Sequence, residues 1–191
     1  MEINPVGSYA NLSNGMDLHY LEFCSDIDQV ATVIFIHGSG PGASGWSNFK
    51  NNVDAFSQMG YSTIVIDIPG YGQTSKPTDA IYSLDFFTQY LDEFLVHKNI
   101  TQAILVGNSL GGAIAIGYAL DHPDKVSHLI LMATGGVEER EIYFATEGIQ
   151  AMVKYPMGSP EFTKEVLGDL LKLLVFDPKH VTQELIDERW Q

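Results

Sequence analysis

Four short apolar runs between residues 31 and 132 constrain the fold most. They are ATVIFI (31–36), STIVID (62–67), AILVG (103–107) and HLILM (128–132). Continuous apolar runs of this length are typical of strands that are covered on both faces, as in a parallel sheet. Helical periodicity lies between them, over 47–59 and over 83–98, where Ser83 is placed to cap the helix. This order predicts an α/β fold with a doubly wound, mostly parallel sheet.

The regions on either side of these runs have different patterns. Residues 16–24, MDLHYLEFC, alternate between apolar and polar, which predicts an antiparallel edge strand. After Gly136 the pattern becomes helical, over 138–153, 161–174 and 182–190, and no further strand is indicated. We therefore expect residues 1–136 to form the core and residues 137–191 to form a partial helical cap, with the last strands of the sheet missing.

The charge balance excludes some classes of partner. The chain has 10 Lys and Arg against 24 Asp and Glu, a net charge of -14, whereas nucleic acids and anionic membrane surfaces require basic patches. A small-molecule substrate fits better. The single cysteine, Cys24, cannot form an internal disulfide, and neither a secretion signal nor a membrane-length apolar run is present, so a cytoplasmic protein is predicted.

A G-x-S-x-G pattern stands between the third apolar run and a run of small residues. In Gly107-Asn108-Ser109-Leu110-Gly111, a tight turn from strand to helix would strain the serine, and side chains two residues away on either side would collide. The alternative is a phosphate-binding turn, but residues 107–112 fit neither G-K-[ST] nor G-x-G-x-x-G. The pattern at 107–111 therefore predicts that Ser109 is a nucleophile at a helix N-terminus, which stabilises an anionic intermediate.

A second glycine-rich loop, HGSGPGASGWSNF at 37–49, follows the first apolar run. Acyl transfer requires two backbone N–H groups that stabilise the developing oxyanion, one of them from the residue after the nucleophile. Leu110 is that residue, and Ser39 and Gly40 are the candidates in the loop. The alternative is a flexible glycine turn, but the two motifs occur in one chain and in the expected order.

These two motifs together resemble the meta-cleavage product hydrolases, which are α/β-hydrolase-fold enzymes that cut a carbon–carbon bond in ring-opened aromatic compounds. The resemblance continues through IDIPGYGQTSKP, DHPDKVSHLILM, MATGGV and FDPKHVTQELIDERW, so it covers nearly the whole chain. Ser39 departs from it, since many relatives have glycine there. The resemblance implies a serine-dependent hydrolase of 2-hydroxy-6-oxohexa-2,4-dienoate-type substrates, without metal or organic cofactor, and it is compatible with a homo-oligomer.

Three further residues acquire substrate-binding roles only through this resemblance. Asn48 and Asn108 match polar residues that line the pocket, and Arg189 matches an arginine that reaches the anionic dienoate from the cap. A guanidinium can bind two oxygens at once, which suits such a substrate. The alternatives are that Arg189 is a solvated residue near a helix C-terminus and that Asn48 hydrogen-bonds a turn. For Asp67, structural hydrogen bonding is expected rather than catalysis.

A serine nucleophile needs a base, and in this fold the chain order is Ser, then Asp or Glu, then His. After Ser109 the histidines are His122, His128 and His180, none of them in a loop after a late strand. We expect the acid and the base to lie beyond Gln191, in a longer protein rather than in a short inactive one. A carboxylesterase and a non-catalytic binding protein on the same fold are the alternative functions.

Overall fold

The computed structural model describes residues 5–13, 15–24 and 30–190, so the ends of the two predicted parts, 1–4 and 191, lie outside the described residues. The chain divides into two compact units. The first comprises the chain up to Ser39 together with Ala43–Gly135, and the second comprises Gly40–Gly42 and Gly136–Gln191. Each unit is described by itself.

The first unit is built on a mixed sheet, in which six strands are seen within the described residues. The strands are β1 (Ser8–Asn11), β2 (Asp17–Phe23), β3 (Thr32–Ile36), β4 (Ser62–Ile66), β5 (Ala103–Asn108) and β6 (Val126–Met132). Their order across the sheet is β1-β2-β4-β3-β5-β6. The four strands from β4 to β6 are parallel, whereas β2 runs antiparallel to both β1 and β4. The predicted α/β class and the mostly parallel sheet are confirmed.

Helices cover both faces of this sheet, as a doubly wound fold requires. They are α1 (Gly45–Phe49), α2 (Val53–Gln58), α3 (Leu84–His97) and α4 (Leu110–Asp121), followed by a 3-10 turn at Pro123–Lys125. Ile34 and Ile36 pack with residues of α3 and α4 in one core. Val33 and Phe35, which alternate with them along β3, pack with residues of α1 and α2 in the other. The continuous apolar run of β3 is therefore buried on both sides.

The helix predicted over 47–59 is two short helices instead, α1 and α2. The Ser44 hydroxyl caps α1 in a reciprocal capping box with Ser47, and α1 ends at Lys50. A turn follows, in which the N–H of Asn52 donates to the Phe49 carbonyl at 2.8 Å. Consecutive asparagines favour such a turn over a helix because their side chains compete for backbone hydrogen bonds. The helix predicted over 83–98 is confirmed as α3, with the Ser83 hydroxyl accepting from the Phe86 N–H.

The strand predicted over 16–24 is antiparallel, as expected, but it is not at the edge of the sheet. It is β2, which lies between β4 and a short strand that the pattern did not reveal, β1. Leu18, His19, Tyr20 and Leu21 are all buried, so both faces of β2 are covered. β1 escaped prediction because SYAN is short and largely polar. The opposite edge is β6, where residues 129–132 are each 38–42% exposed.

The second unit is helical over residues 136–190. Its elements are α5 (Arg140–Ala145), α6 (Glu147–Lys154), α7 (Lys164–Leu174), a 3-10 turn at Pro178–His180 and α8 (Gln183–Arg189). The helix predicted over 138–153 is divided into α5 and α6, because Thr146 between them has an extended backbone. Thr163 and Thr182 cap α7 and α8 through their hydroxyls. Among the described helices of the chain, none is long and apolar enough to cross a membrane.

Candidate active site

Ser109 lies in the turn between β5 and α4 with a strained backbone. Its φ is 52° and its ψ is -116°, a conformation that a residue with a side chain rarely adopts. The two glycines of the motif are required by close packing. A Cβ at Gly107 would lie 2.4 Å from the Gly111 carbonyl oxygen, and a Cβ at Gly111 would lie 2.0 Å from the carbonyl oxygen of Ile36 in β3. The collision expected for side chains at these positions is thus present in the structure.

The last residue of β6 and the loop that follows it hold the backbone of Ser109 from the other side. The Ser109 N–H donates to the Met132 carbonyl at 2.9 Å, and the Gly135 N–H donates to the Ser109 carbonyl at 3.2 Å. Ala133, within this loop, also has a positive φ, 44°. A second strained residue thus lies beside the first, as is common at functional sites. Sequence reasoning gave residues 132–135 no role in the site, because backbone hydrogen bonds leave no side-chain signal.

The glycine-rich loop after β3 packs directly on the turn that carries Ser109. A Cβ at Gly38 would lie 3.0 Å from the Ser109 Cβ, so glycine permits the close approach. His37 is fully buried, and its Nε2 accepts from the Ile68 N–H at 3.1 Å. This leaves its Nδ1 protonated to donate to the Gly38 carbonyl at 2.7 Å. Ser39 is exposed, and its carbonyl accepts from the Tyr71 hydroxyl at 3.4 Å.

The structure brings Asn48 and Asn108 together. The Asn108 Nδ2 donates to the Asn48 Oδ1 at 2.9 Å. The Asn48 Nδ2 donates to the Ser44 carbonyl at 3.1 Å, as the turn-binding alternative for this residue requires. The pair therefore connects α1 with the residue before the candidate nucleophile. Leu110 is the first residue of α4 and is half-buried, in the position that an oxyanion N–H at a helix N-terminus requires.

Asp67, at the end of β4, is a buried carboxylate surrounded by donors. Its Oδ1 accepts from the Gly45 N–H at 2.6 Å. Its Oδ2 accepts from the Gln73 N–H at 2.9 Å and contacts the His19 Nδ1 at 2.8 Å. Burial by itself raises the pKa of the Asp67 carboxyl, but the hydrogen bonds from these three residues outweigh it and hold the pKa below its usual value. The structural role expected for Asp67 agrees with this set of contacts.

In the second unit, Arg189 is the last residue of α8 and is partly buried. Burial lowers the pKa of its guanidinium from the usual value, and the neighbouring Glu188 opposes this shift. Gly42, with a φ of 62°, packs on the end of α8, since a Cβ there would lie 2.0 Å from the Arg189 carbonyl oxygen. Gly40 belongs to the same unit, and a Cβ there would have no neighbour within 4 Å.

No base for Ser109 is found in the part of the chain that the structure describes. Within residues 5–13, 15–24 and 30–190, no hydrogen bond to the Ser109 hydroxyl is present, and both ring nitrogens of the nearby His37 are occupied. The same residues contain no group of three or more His, Cys, Asp or Glu side chains that could hold a metal ion.

The strained serine between a parallel strand and a helix, with the glycine-rich loop packed beside it, is the geometry of one known family. The model for the α/β-hydrolase fold matches residues 31–174. The chain belongs to the α/β-hydrolase-fold family.

Other α/β-hydrolases with established names are similar over most of the chain. A 2-hydroxy-6-oxononadienedioate/2-hydroxy-6-oxononatrienedioate hydrolase of Paraburkholderia phymatum is 39% identical over 162 residues, which are 83% of this chain and 54% of that protein. A 2-hydroxy-6-oxo-6-phenylhexa-2,4-dienoate hydrolase of Comamonas testosteroni is 31% identical over 97% of this chain and 64% of its own length. Both names bear out the resemblance to the meta-cleavage product hydrolases.

Solved structures lead to the same group of α/β-hydrolases. A mutant of the meta-cleavage product hydrolase CumD from Pseudomonas fluorescens IP01, solved with acetates, superimposes with a TM-score of 0.83 at 30% identity. The match covers 97% of this chain and 62% of that one. The chain thus spans between about half and two thirds of the length of these relatives.

Proposed function

We propose that the natural protein to which this chain belongs hydrolyses a carbon–carbon bond in 2-hydroxy-6-oxohexa-2,4-dienoate-type ring-fission products of aromatic degradation. The observation that carries the proposal is the strained Ser109 at the N-terminus of α4, in a chain whose relatives are named as hydrolases of such compounds.

The proposed reaction has two stages. The dienol substrate first becomes a ketone, because its 2-hydroxyl group loses a proton and C5 takes one up. The Ser109 hydroxyl then loses its proton to a base and its oxygen attacks the C6 carbonyl, and the resulting oxyanion is stabilised by backbone N–H groups of Leu110 and Ser39, or of Gly40. The C5–C6 bond breaks because the leaving carbon is a stabilised enolate, which is released as a 2-hydroxypentadienoate. Water hydrolyses the acyl-serine to a carboxylic acid, so no redox partner is needed.

The base has to come from outside the residues that the structure describes, because these contain no histidine in contact with the Ser109 hydroxyl. The chain order of this fold puts an acid and then a histidine after the nucleophile. We therefore propose that the natural protein supplies an Asp or Glu and a His from sequence that this chain does not include. A coding sequence that ends after Gln191 would remove this part of the proposal and favour a non-catalytic binding protein.

Arg189 is the candidate for binding the anionic end of the substrate. The chain carries a net charge of -14, so an anionic dienoate needs a local cation to offset the surrounding field. A guanidinium that is already partly desolvated binds a carboxylate with two N–H groups at little further desolvation. Replacement of Arg189 by Lys is expected to raise KM for the dienoate by about tenfold, because one of the two hydrogen bonds is lost.

Absorbance of a coloured dienoate tests the reaction class. We expect the full-length natural protein to bleach a 6-phenyl or 6-alkyl substrate, with benzoate or the alkyl acid and a 2-hydroxypentadienoate as products by mass spectrometry. A panel of C6 substituents then measures which group the pocket prefers. A protein that leaves every dienoate unchanged but hydrolyses simple aryl esters quickly is a carboxylesterase, and the carbon–carbon assignment is then wrong.

We also retain two predictions about the whole protein. We propose a cytoplasmic location, which is supported by Cys24, an exposed free thiol that a reducing compartment would keep intact. Assembly as a homo-oligomer rests on the resemblance alone, and sedimentation of the full-length protein will measure it.

A further inference from the structure

Three hydrogen bonds join the glycine-rich loop beside Ser109 to a single segment, which consists of the end of β4 and the turn after it. At its start, His37 accepts from the Ile68 N–H at 3.1 Å. In the middle, the Ser39 carbonyl accepts from the Tyr71 hydroxyl at 3.4 Å. At its far end, the Gly45 N–H donates to Asp67 at 2.6 Å. Interactions that hold this segment in place therefore also hold the backbone of the glycine-rich loop, which carries the candidate oxyanion N–H group.

The Asp67 carboxylate fixes the segment by accepting three N–H groups with two oxygens. Oδ1 binds Gly45 of the loop, and Oδ2 binds both Gln73 of the turn and the His19 ring in β2. Thr74 closes the arrangement, because its hydroxyl donates to the Asp67 carbonyl at 2.6 Å and accepts from the His19 N–H at 2.8 Å. Both side chains of the His19–Asp67 pair are at most 6% exposed, so water cannot replace the lost contacts.

Two glycines approach this pair at distances that exclude a side chain, and a third, Gly45, packs against β4. A Cβ at Gly72, whose φ is 49°, would lie 2.1 Å from Asp67 Oδ2. A Cβ at Gly7 would lie 1.9 Å from His19 Nε2, and a Cβ at Gly45 would lie 2.5 Å from Cγ1 of Val65. Backbone therefore packs against the pair at Gly7 and at Gly72.

We propose that Asp67 is a positioning residue for the oxyanion loop, and that His19 orients the Asp67 carboxylate for this task. Neither residue touches the reacting atoms. Asp67 holds Gly45 and the turn at 68–75, the turn holds His37 and Ser39, and the loop then presents a fixed backbone beside Ser109. The consequence for catalysis rests on the proposed function, whereas the consequence for the loop does not.

Two substitutions separate this role from a general loss of stability. Asp67→Asn keeps the size of the side chain but replaces one accepting oxygen with an NH2 donor. The N–H group of either Gly45 or Gln73 then faces this donor and loses its hydrogen bond. In His19→Leu the ring that orients the carboxylate is lost. His19→Asn is the conservative counterpart, because its amide nitrogen reproduces the Nδ1 donor. Asp92→Asn is the control, since Asp92 is likewise a hydrogen-bonded carboxylate of the first unit, which accepts from the Tyr118 hydroxyl at 2.7 Å and from Lys125, but does not contact the loop.

The first readout is amide hydrogen exchange and NMR line width in the full-length protein, which needs no substrate. We expect Asp67→Asn and His19→Leu to lower the protection of the Gly45 and Gln73 amides at least tenfold and to broaden the signals of Gly38 and Ser39. His19→Asn should restore both, and Asp92→Asn should leave both unchanged. Unchanged loop amides in folded Asp67→Asn, or a His19→Asn protein that behaves like His19→Leu, would overturn the proposal.

The second readout is the division of the turnover effect between kcat and KM. A displaced oxyanion donor costs about 10- to 100-fold in rate, so Asp67→Asn should lower kcat by that factor with KM within about threefold. Asp92→Asn, at equal folded fraction, should leave kcat within twofold. A kcat loss no larger in Asp67→Asn than in Asp92→Asn would contradict the proposal. Absence of turnover in the wild type would instead refute the proposed function, and the loop amides would still decide whether Asp67 positions the loop.

Discussion

Two substitutions of Ser109 separate the strain in its backbone from the chemistry of its hydroxyl. With φ at 52° and ψ at -116°, the residue is in a region that glycine alone enters freely. Strain of this kind is about 1–3 kcal/mol. Ser109→Ala removes the hydroxyl and keeps the strain, whereas Ser109→Gly removes both. Glycine also raises the conformational entropy of the unfolded chain, which costs about 0.5–1 kcal/mol of stability and partly offsets the relief of strain. We therefore expect Ser109→Gly to be about 1 kcal/mol more stable than Ser109→Ala.

Urea unfolding measures this difference. Trp46 lies in the first unit, and fluorescence in a Trp190→Phe background reports on that unit alone. A gain of about 1 kcal/mol corresponds to about 2–4 °C in Tm for a protein of this size. The control is Ala113→Gly within α4, which should lose about 1 kcal/mol because its backbone is helical. If Ser109→Gly is no more stable than Ser109→Ala, the turn does not store the strain that its dihedral angles indicate.

Three more predictions follow from packing and hydrogen bonding in the first unit. Gly111→Ala should destabilise by about 3 kcal/mol, since its Cβ meets backbone of β3. Gly117→Ala on the same helix meets only side chains, those of Leu84 and Thr88 at 3.1–3.3 Å, and should change stability by less than about 1 kcal/mol; urea midpoints compare the two variants. A double-mutant cycle of Asn48→Ala and Asn108→Ala should give a coupling of about 0.5–1.5 kcal/mol, and additivity would show that their hydrogen bond contributes nothing. The pKa of Asp67 is lowered in the folded state, so its contribution to stability is present above its unfolded pKa of about 3.9 and is lost as the pH falls through the lower folded pKa. The stability deficit of Asp67→Asn should therefore shrink in urea titrations from pH 7 toward pH 3, and a constant deficit would be inconsistent with this linkage.

The sequence revealed those parts of the fold that leave a side-chain pattern. The apolar runs predicted the four parallel strands correctly, because strands that are buried on both faces are apolar along their whole length. The turn at 107–111 was predictable because its two glycines are required by contacts of 2.0–2.4 Å that any Cβ would make. β1 and the break between α1 and α2 were missed, since both are settled by backbone pairing rather than by periodicity.

The surroundings of the site were less predictable than Ser109 itself. The alternating pattern of MDLHYLEFC placed His19 on an edge strand, but pairing with both β1 and β4 buries it against Asp67. The loop at 132–135 holds Ser109 through main-chain atoms, which no residue type reveals. Asn48 and Asn108 were assigned to the substrate from resemblance alone, and their contact with each other requires tertiary structure. The one sequence signal for the buried His19–Asp67 contact was a histidine within a strand that could pair with a neighbour on each side.

A single-turnover experiment with a coloured dienoate tests the central claim most directly, that Ser109 carries out carbon–carbon hydrolysis. With full-length protein in excess, the wild type should convert the dienoate to a 2-hydroxypentadienoate and a carboxylic acid in one exponential phase. Ser109→Ala, matched for folded fraction, should form these products at least about 1000-fold more slowly while still binding the dienoate. Product formation at a similar rate in both proteins would show that Ser109 is not the nucleophile and would contradict the account.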